Sequence, residues 1–177
     1  MLSAVSFETD RLQIRAWHSR SWPAGWQQDL PRIVAGILTE PVTRTLPTSW
    51  RGAFTADRAH DWIEERDREG VTLLVAEKTG GNPVGLVILF ETSSEDGTEV
   101  RLGYFLAETS WGMGFATELV EGLVQWCRAQ PGLRSLAGGV SADNPASRRV
   151  LEKNGFLLSE SEGDGGEEIL RLVLRTP

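Results

Sequence analysis

Residues 98–129, TEVRLGYFLAETSWGMGFATELVEGLVQWCRA, decide how the rest of the chain is read. A β-forming run from Thr98 to Leu106 gives way to a short polar turn, then a glycine pair, then an amphipathic helix. In that helix Phe115, Leu119, Leu123 and Trp126 or Cys127 recur at helical spacing, while Glu118, Glu121, Gln125 and Arg128 face away. The junction is Trp111-Gly112-Met113-Gly114-Phe115-Ala116. Gly112, Gly114 and Ala116 keep side-chain bulk off the backbone, so an anion can approach the peptide N–H groups closely. Those N–H groups open a helix and have no intrahelical partner. With the positive end of the helix dipole they make a candidate phosphate site. The same pattern also fits an ordinary strand-to-helix connection, and it gains force from a second segment downstream.

That segment is NPASRRVLEKNGF, residues 144–156. Asn144 reads as an N-cap, Pro145 occupies the favoured first helical position, and Gly155 supplies the stop. Between the two, Pro131 and Gly132 close the first helix and Leu133 to Val140 reads as a short strand. Phe156 begins another strand, Ser161 to Glu167 is a glycine-rich acidic turn, and Glu168 to Leu174 is the closing strand.

Upstream, Arg11 to Trp17 alternates, with Leu12, Ile14 and Ala16 on one face, and predicts a half-buried first strand. Between His18 and Arg51 the residues Trp22, Trp26, Leu30, Ile33, Val34 and Ile37 have helical spacing, but Pro23 and Pro31 predict short or broken helices. The tryptophans there either line a pocket or fill core. Thr55 to Glu69 reads as a helix capped by Thr55, with Ala56, Ala59, Trp62, Ile63 and Arg66 on its inner stripe and Gly70 ending it. Val71 to Glu77 and Pro83 to Glu91 are strands about a hairpin turn at Thr79–Asn82, and Glu91 to Gly97 is a further polar turn.

With 177 residues the chain has the length of one domain with a real core, so a single domain over 1–177 is expected. Its net charge of −7 argues against a general nucleic-acid grip and is compatible with a cationic acceptor such as an amine. Cys127 is the single cysteine, so no internal disulfide forms; with His18 and His60 as the only histidines, no metal site is expected. The N-terminal stretch lacks a signal-like apolar core and no run is long enough to span a bilayer, which predicts a cytoplasmic protein without membrane contact.

Four stretches together resemble the GNAT acyltransferases, in the branch of the RimJ/RimL-type ribosomal-protein N-terminal acetyltransferases. They are the opening ETDRLQIRAW, the strand GYFL, the turn WGMGFATEL and the helix NPASRRVLEKNGF. The resemblance implies an α/β (α+β) fold: a mixed central β-sheet, flanked by helices, that splays between its fourth and fifth strands to admit acyl-CoA. It implies that Tyr104, Phe105 and Leu106 offer backbone groups to the pantetheine arm. It further implies that the amides of Trp111, Gly112, Met113, Gly114, Phe115 and Ala116 hold the pyrophosphate, and that Asn144 hydrogen-bonds the arm. Trp111 stands where similar proteins have Arg or Gln. Many of them have a tyrosine at the place of Leu151 as general acid; in the RimL-like branch the substitute is a serine one turn earlier, here Ser147.

For the general base, the family's glutamate position carries Arg101, which leaves Glu99 on the same strand face and Glu91 on the preceding strand as candidates. Arg101 itself suits an acceptor carboxylate. The function implied is transfer of an acyl group, with acetyl-CoA as co-substrate, to a primary amine by direct attack. The alternative is a non-catalytic acyl-CoA-binding sensor or interaction module. A homodimer is common among similar proteins.

Overall fold

The alternation at residues 11–17 forms a strand, but not the first one. In the computed structural model, which describes residues 2, 5–94, 97–159 and 167–174, a short strand β1 (Ser6–Glu8) precedes β2 (Leu12–Ala16). The two pair antiparallel, Phe7 opposite Ile14. Three residues are too few to show a period, which is why β1 is silent in the sequence.

There follow α1 (Trp26–Ile37), α2 (Glu40–Thr43), α3 (Ala56–Glu69), β3 (Val71–Glu77), β4 (Pro83–Ser94), β5 (Gly97–Leu106), α4 (Phe115–Arg128), β6 (Leu133–Ser141), α5 (Pro145–Lys153), β7 (Leu157–Leu158) and β8 (Glu167–Val173). Eight strands hydrogen-bond in the order β1-β2-β3-β4-β5-β6-β8-β7, a mixed open sheet with helices in its crossovers. The fourth and fifth strands of the family pattern are therefore β5 and β6.

The expected turn at Glu91–Gly97 is shorter than the reading gave, since β4 extends to Ser94; residues 95–96 lie outside the described residues. The acidic turn at Ser161–Glu167 also lies outside them, apart from Glu167, which opens β8.

The chain forms two compact units, Met1–Ile88 with Tyr104–Phe115, and Leu89–Gly103 with Ala116–Pro177; β4 and β5 each run from one into the other. In the first unit β3 is covered on both faces, Leu73, Leu74 and Val75 being fully buried. Helix α1 packs on α3 and runs unbroken through Pro31. A proline there removes one intrahelical bond close to the helix start, and burial of Leu30, Val34 and Ile37 offsets the loss. Helix α3 follows the sequence reading: Thr55 Oγ1 accepts from the Arg58 N–H at 3.2 Å, and Ala59, Trp62, Ile63 and Arg66 are buried, whereas Ala56 is exposed. Trp22 and Trp62 are core, and Trp50 is half-buried.

In the second unit β5 pairs parallel with β6 from Thr98↔Leu133 to Leu102↔Gly138, whereas β5 itself continues to Leu106. Parallel neighbours need a crossover, which α4 supplies while burying Leu119, Val120, Leu123, Val124 and Cys127. Helix α5 seats the fully buried Leu151 over Gly138; a Cβ on that glycine would lie 2.9 Å from Leu151 Cδ1.

One glycine sets how β5 ends. A Cβ on Gly85 of β4 would stand 2.5 Å from the Phe105 carbonyl oxygen and 2.7 Å from Leu106 Cδ2. Backbone gives way less readily than a side-chain tip, so Gly85→Ala should destabilise by about 1–3 kcal/mol. Gly36, where an added Cβ meets nothing within 4 Å, is the contrast; as an exposed helical site, Gly36→Ala should be neutral or stabilising. Denaturant melts of both variants check this, and equal midpoints would refute it.

Candidate functional site

Where β5 stops, the Ala107 N–H donates to the Val84 carbonyl at 2.9 Å, and a 3-10 turn over Glu108–Ser110 leads to Trp111. Gly112 and Gly114 then hold φ of 74° and 79°, the left-handed region that side chains rarely adopt. At Gly112 an added Cβ would meet nothing within 4 Å. Its glycine is thus demanded by backbone conformation, not by packing within the protein. Phe115 follows as the first residue of α4 and is buried to 1% exposure.

The turn is held by side chains. The Trp111 indole N–H donates to the Leu106 carbonyl at 2.9 Å, tying the turn back to the strand it leaves. This explains a tryptophan where the family pattern has Arg or Gln. The Arg11 guanidinium donates from Nη1 to the Met113 carbonyl at 2.8 Å and lies 4.6 Å from the centroid of the Phe115 ring. Arg11 read in the sequence only as the start of a strand; its partner lies 102 positions away, beyond any local pattern. Gly85 did carry a readable signal, since a glycine inside a strand often marks close backbone approach.

Among the backbone positions expected to meet pantetheine, Phe105 and Leu106 are buried and Tyr104 is half-buried. Trp111 and Met113 are about half exposed, at 49% and 47%.

In the second unit Asn144 caps α5, its Oδ1 accepting from the Ser147 N–H at 3.1 Å. Asn144 thus serves that N–H. Glu99 accepts from Ser135 Oγ at 2.7 Å and from Arg171 Nε at 2.8 Å. Burial raises its pKa, but the bonds to Arg171 and Ser135, with the charges of Arg171 and Arg101, outweigh that and hold it below the ordinary carboxylate value. A carboxylate so stabilised is a poor proton acceptor. Glu91 and Arg101 are both exposed. Cys127 is buried and its thiol is pushed up to about 12, which removes it as a nucleophile at neutral pH. Among the described residues no three His, Cys, Asp or Glu side chains form a group able to hold a metal ion.

The family model for an acetyltransferase (GNAT) domain matches residues 11–157. The chain is 25% identical over 145 residues to an L-methionine sulfoximine/L-methionine sulfone acetyltransferase of Pseudomonas aeruginosa, covering 81% of this chain and 83% of that protein. Its fold is similar to a GNAT-family acetyltransferase from Bacillus anthracis, with a TM-score of 0.76 at 16% identity, covering 96% of this chain and 98% of that one. It is also similar to a spermidine N-acetyltransferase from Vibrio cholerae in complex with CoA and spermine, with a TM-score of 0.68 at 17% identity, covering 93% and 96%.

The Glu99 bonds carry a pH signature. With its folded pKa below the ordinary 4.5, the group contributes stability that is present above 4.5 and lost as pH falls through the lowered folded value. Glu99→Gln should therefore lower the melting temperature at pH 7 and converge on wild type under strongly acidic conditions. A melting difference independent of pH would show that the ionised carboxylate is not what holds Arg171.

Proposed function

Because this chain belongs to the GNAT acetyltransferase family, and is accordingly an N-acetyltransferase, we propose that it moves the acetyl group of acetyl-CoA to a primary amine by direct attack. The observation that carries the reading is the turn at Gly112 and Gly114, whose left-handed backbone opens α4 with its first amides unpaired by the helix. In this proposal the amides of Trp111 to Ala116 receive the carrier's diphosphate. Tyr104, Phe105 and Leu106 meet the pantetheine arm through their backbone, and Asn144 assists from its cap. The RimJ/RimL-like branch is part of the proposal, resting on ETDRLQIRAW and on Ser147 one helical turn before Leu151.

The chemistry asked of the residues is modest. The neutral amine nitrogen bonds to the thioester carbon, a backbone amide near the end of β5 holds the oxyanion, and the carbon–sulfur bond breaks. Ser147 donates a hydrogen bond to the departing thiolate; the one proton that the neutral amine loses on becoming an amide passes, through a base or water, to the thiolate, which leaves as the thiol. Glu99 is tied to Ser135 and Arg171, which counts against it as the base; Glu91 is the other candidate. Arg101 offers an exposed guanidinium to an acceptor carrying a carboxylate. The reading extends to a single domain over 1–177, a cytoplasmic setting and a homodimer.

Two relatives are named for a methionine derivative and a polyamine, so the assay should hold amino acids, polyamines and N-terminal peptides. With acetyl-CoA, thiol release should appear with at least one of these amines. Binding of CoA without turnover on any of them would sink the catalytic reading. Ser147→Ala should lower kcat roughly tenfold or more while CoA affinity stays close to wild type; an unchanged kcat would remove Ser147 from the mechanism.

A further inference from the structure

The turn at 107–118 contains Glu108 and Glu118 and no lysine or arginine. A diphosphate seated on its amides would therefore find no cation on the same segment. Backbone N–H groups and the helix dipole supply partial charges only. The full positive charge reaches the turn from another part of the chain.

That charge is Arg11. Its position is fixed by the sheet: Leu12 is fully buried opposite Glu77, and the Lys78 N–H donates to the Arg11 carbonyl at 2.8 Å. Its guanidinium is fixed by the turn. Nη1 donates to the Met113 carbonyl at 2.8 Å, and Nη2 lies 3.5 Å from where a Gly114 Cβ would sit. The Phe115 ring, 4.6 Å away, forms a buried floor, while Arg11 as a residue is exposed to solvent.

We propose that Arg11 is the cation of the diphosphate site, its guanidinium binding the phosphoanion that the amides at 112–116 receive. The inference rests on the acetyl-CoA reading and adds to it the residue that replaces a cation at the Trp111 position. Guanidinium suits the task because its charge is permanent and its fork matches phosphate oxygens. The competing role is structural, with Arg11 serving only to tie the turn to β2.

Charge and structure separate in two substitutions. Arg11→Gln keeps a donor for the Met113 carbonyl and loses the charge; Arg11→Lys keeps the charge and loses the fork. Calorimetric affinities for CoA and for 3′-dephospho-CoA, at about 50 mM and about 500 mM salt, read the difference. Arg11→Gln should weaken both ligands by the same factor, roughly tenfold at low salt, and the factor should shrink at high salt. Arg11→Lys should lose roughly threefold or less, and thermal melts confirm that both variants fold. The proposal is overturned if Arg11→Gln binds both ligands as wild type does, if its loss is the same at both salt concentrations, or if Arg11→Lys is as weak as Arg11→Gln. It is also overturned if the loss is confined to CoA, which would assign Arg11 to the 3′-phosphate. Failure of wild type to bind either ligand would refute the acetyl-CoA reading itself, a result separate from all of these.

Discussion

The chain leaves β5 and enters α4 through two left-handed residues, Gly112 at φ 74° and Gly114 at φ 79°. Most side chains are strained in that conformation, so the reversal depends on glycine at both positions. Much else follows from it. The first amides of α4 begin unpaired by the helix, Phe115 is driven into the core, and the Met113 carbonyl is turned to where Arg11 reaches it. A loop of glycines would otherwise be mobile. Here Trp111 binds it to Leu106, Arg11 binds it to β2, and buried Phe115 anchors it beneath. In the proposed role, an amide array held this way would bind an anion with little ordering cost, which is the condition for useful preorganisation.

The departures from the family pattern make physical sense in the same terms. At position 111 an arginine would supply charge and no apolar latch; the tryptophan supplies the latch, and its hydrogen bond to Leu106 is local. At position 151 the side chain is core, pressed toward Gly138 with 1% exposure. A proton donor there would need a partner inside the packing of α5 on β6. Glu99 is likewise committed, its carboxylate bridging Ser135 of β6 and Arg171 of β8. Such a bridge knits three strands of one unit and leaves the carboxylate with little appetite for a further proton.

How much of this was legible in the sequence depended on range. Helices α3 and α5 were readable because caps are local: Thr55 and Asn144 each bond an amide three residues ahead. The inner face of α4 was readable because its period is undiluted by proline or glycine on the buried side, apart from Gly122. Helix α1 read as broken because the rule for Pro31 concerns the isolated helix, whereas packing against α3 decides the outcome. Strand β1 was too short to show itself. In the site, the glycine turn and the Asn144 cap were visible from spacing. Arg11 with Met113, Gly85 with Phe105, and Glu99 with Arg171 were not, since each pair meets only after the sheet has assembled.

The end of β5 is the last piece, and it is held more tightly than its sequence suggests. Gly85 lets the Phe105 carbonyl approach β4, and the Ala107 N–H donates to Val84 just beyond. From the other direction the Trp50 ring meets Phe105 edge-on, with centroids 6.3 Å apart. Trp50 is itself set by Arg66, whose guanidinium lies 4.5 Å from its ring centroid and forks onto Glu69 at 2.8 and 3.1 Å. Arg66 is 5% exposed and its Nε–H finds no partner among the described residues, a cost of about 1–3 kcal/mol for an unpaired buried donor. Bearing that cost makes sense if the stack fixes something of value, and what it fixes is the backbone of Phe105. In the proposed reaction, an amide there that met the developing oxyanion would gain most by not having to move, because reorganisation subtracts directly from the stabilisation it gives. The buried arginine, the edge-on rings and the bare glycine therefore act toward one end: each removes a direction in which that short length of strand could shift.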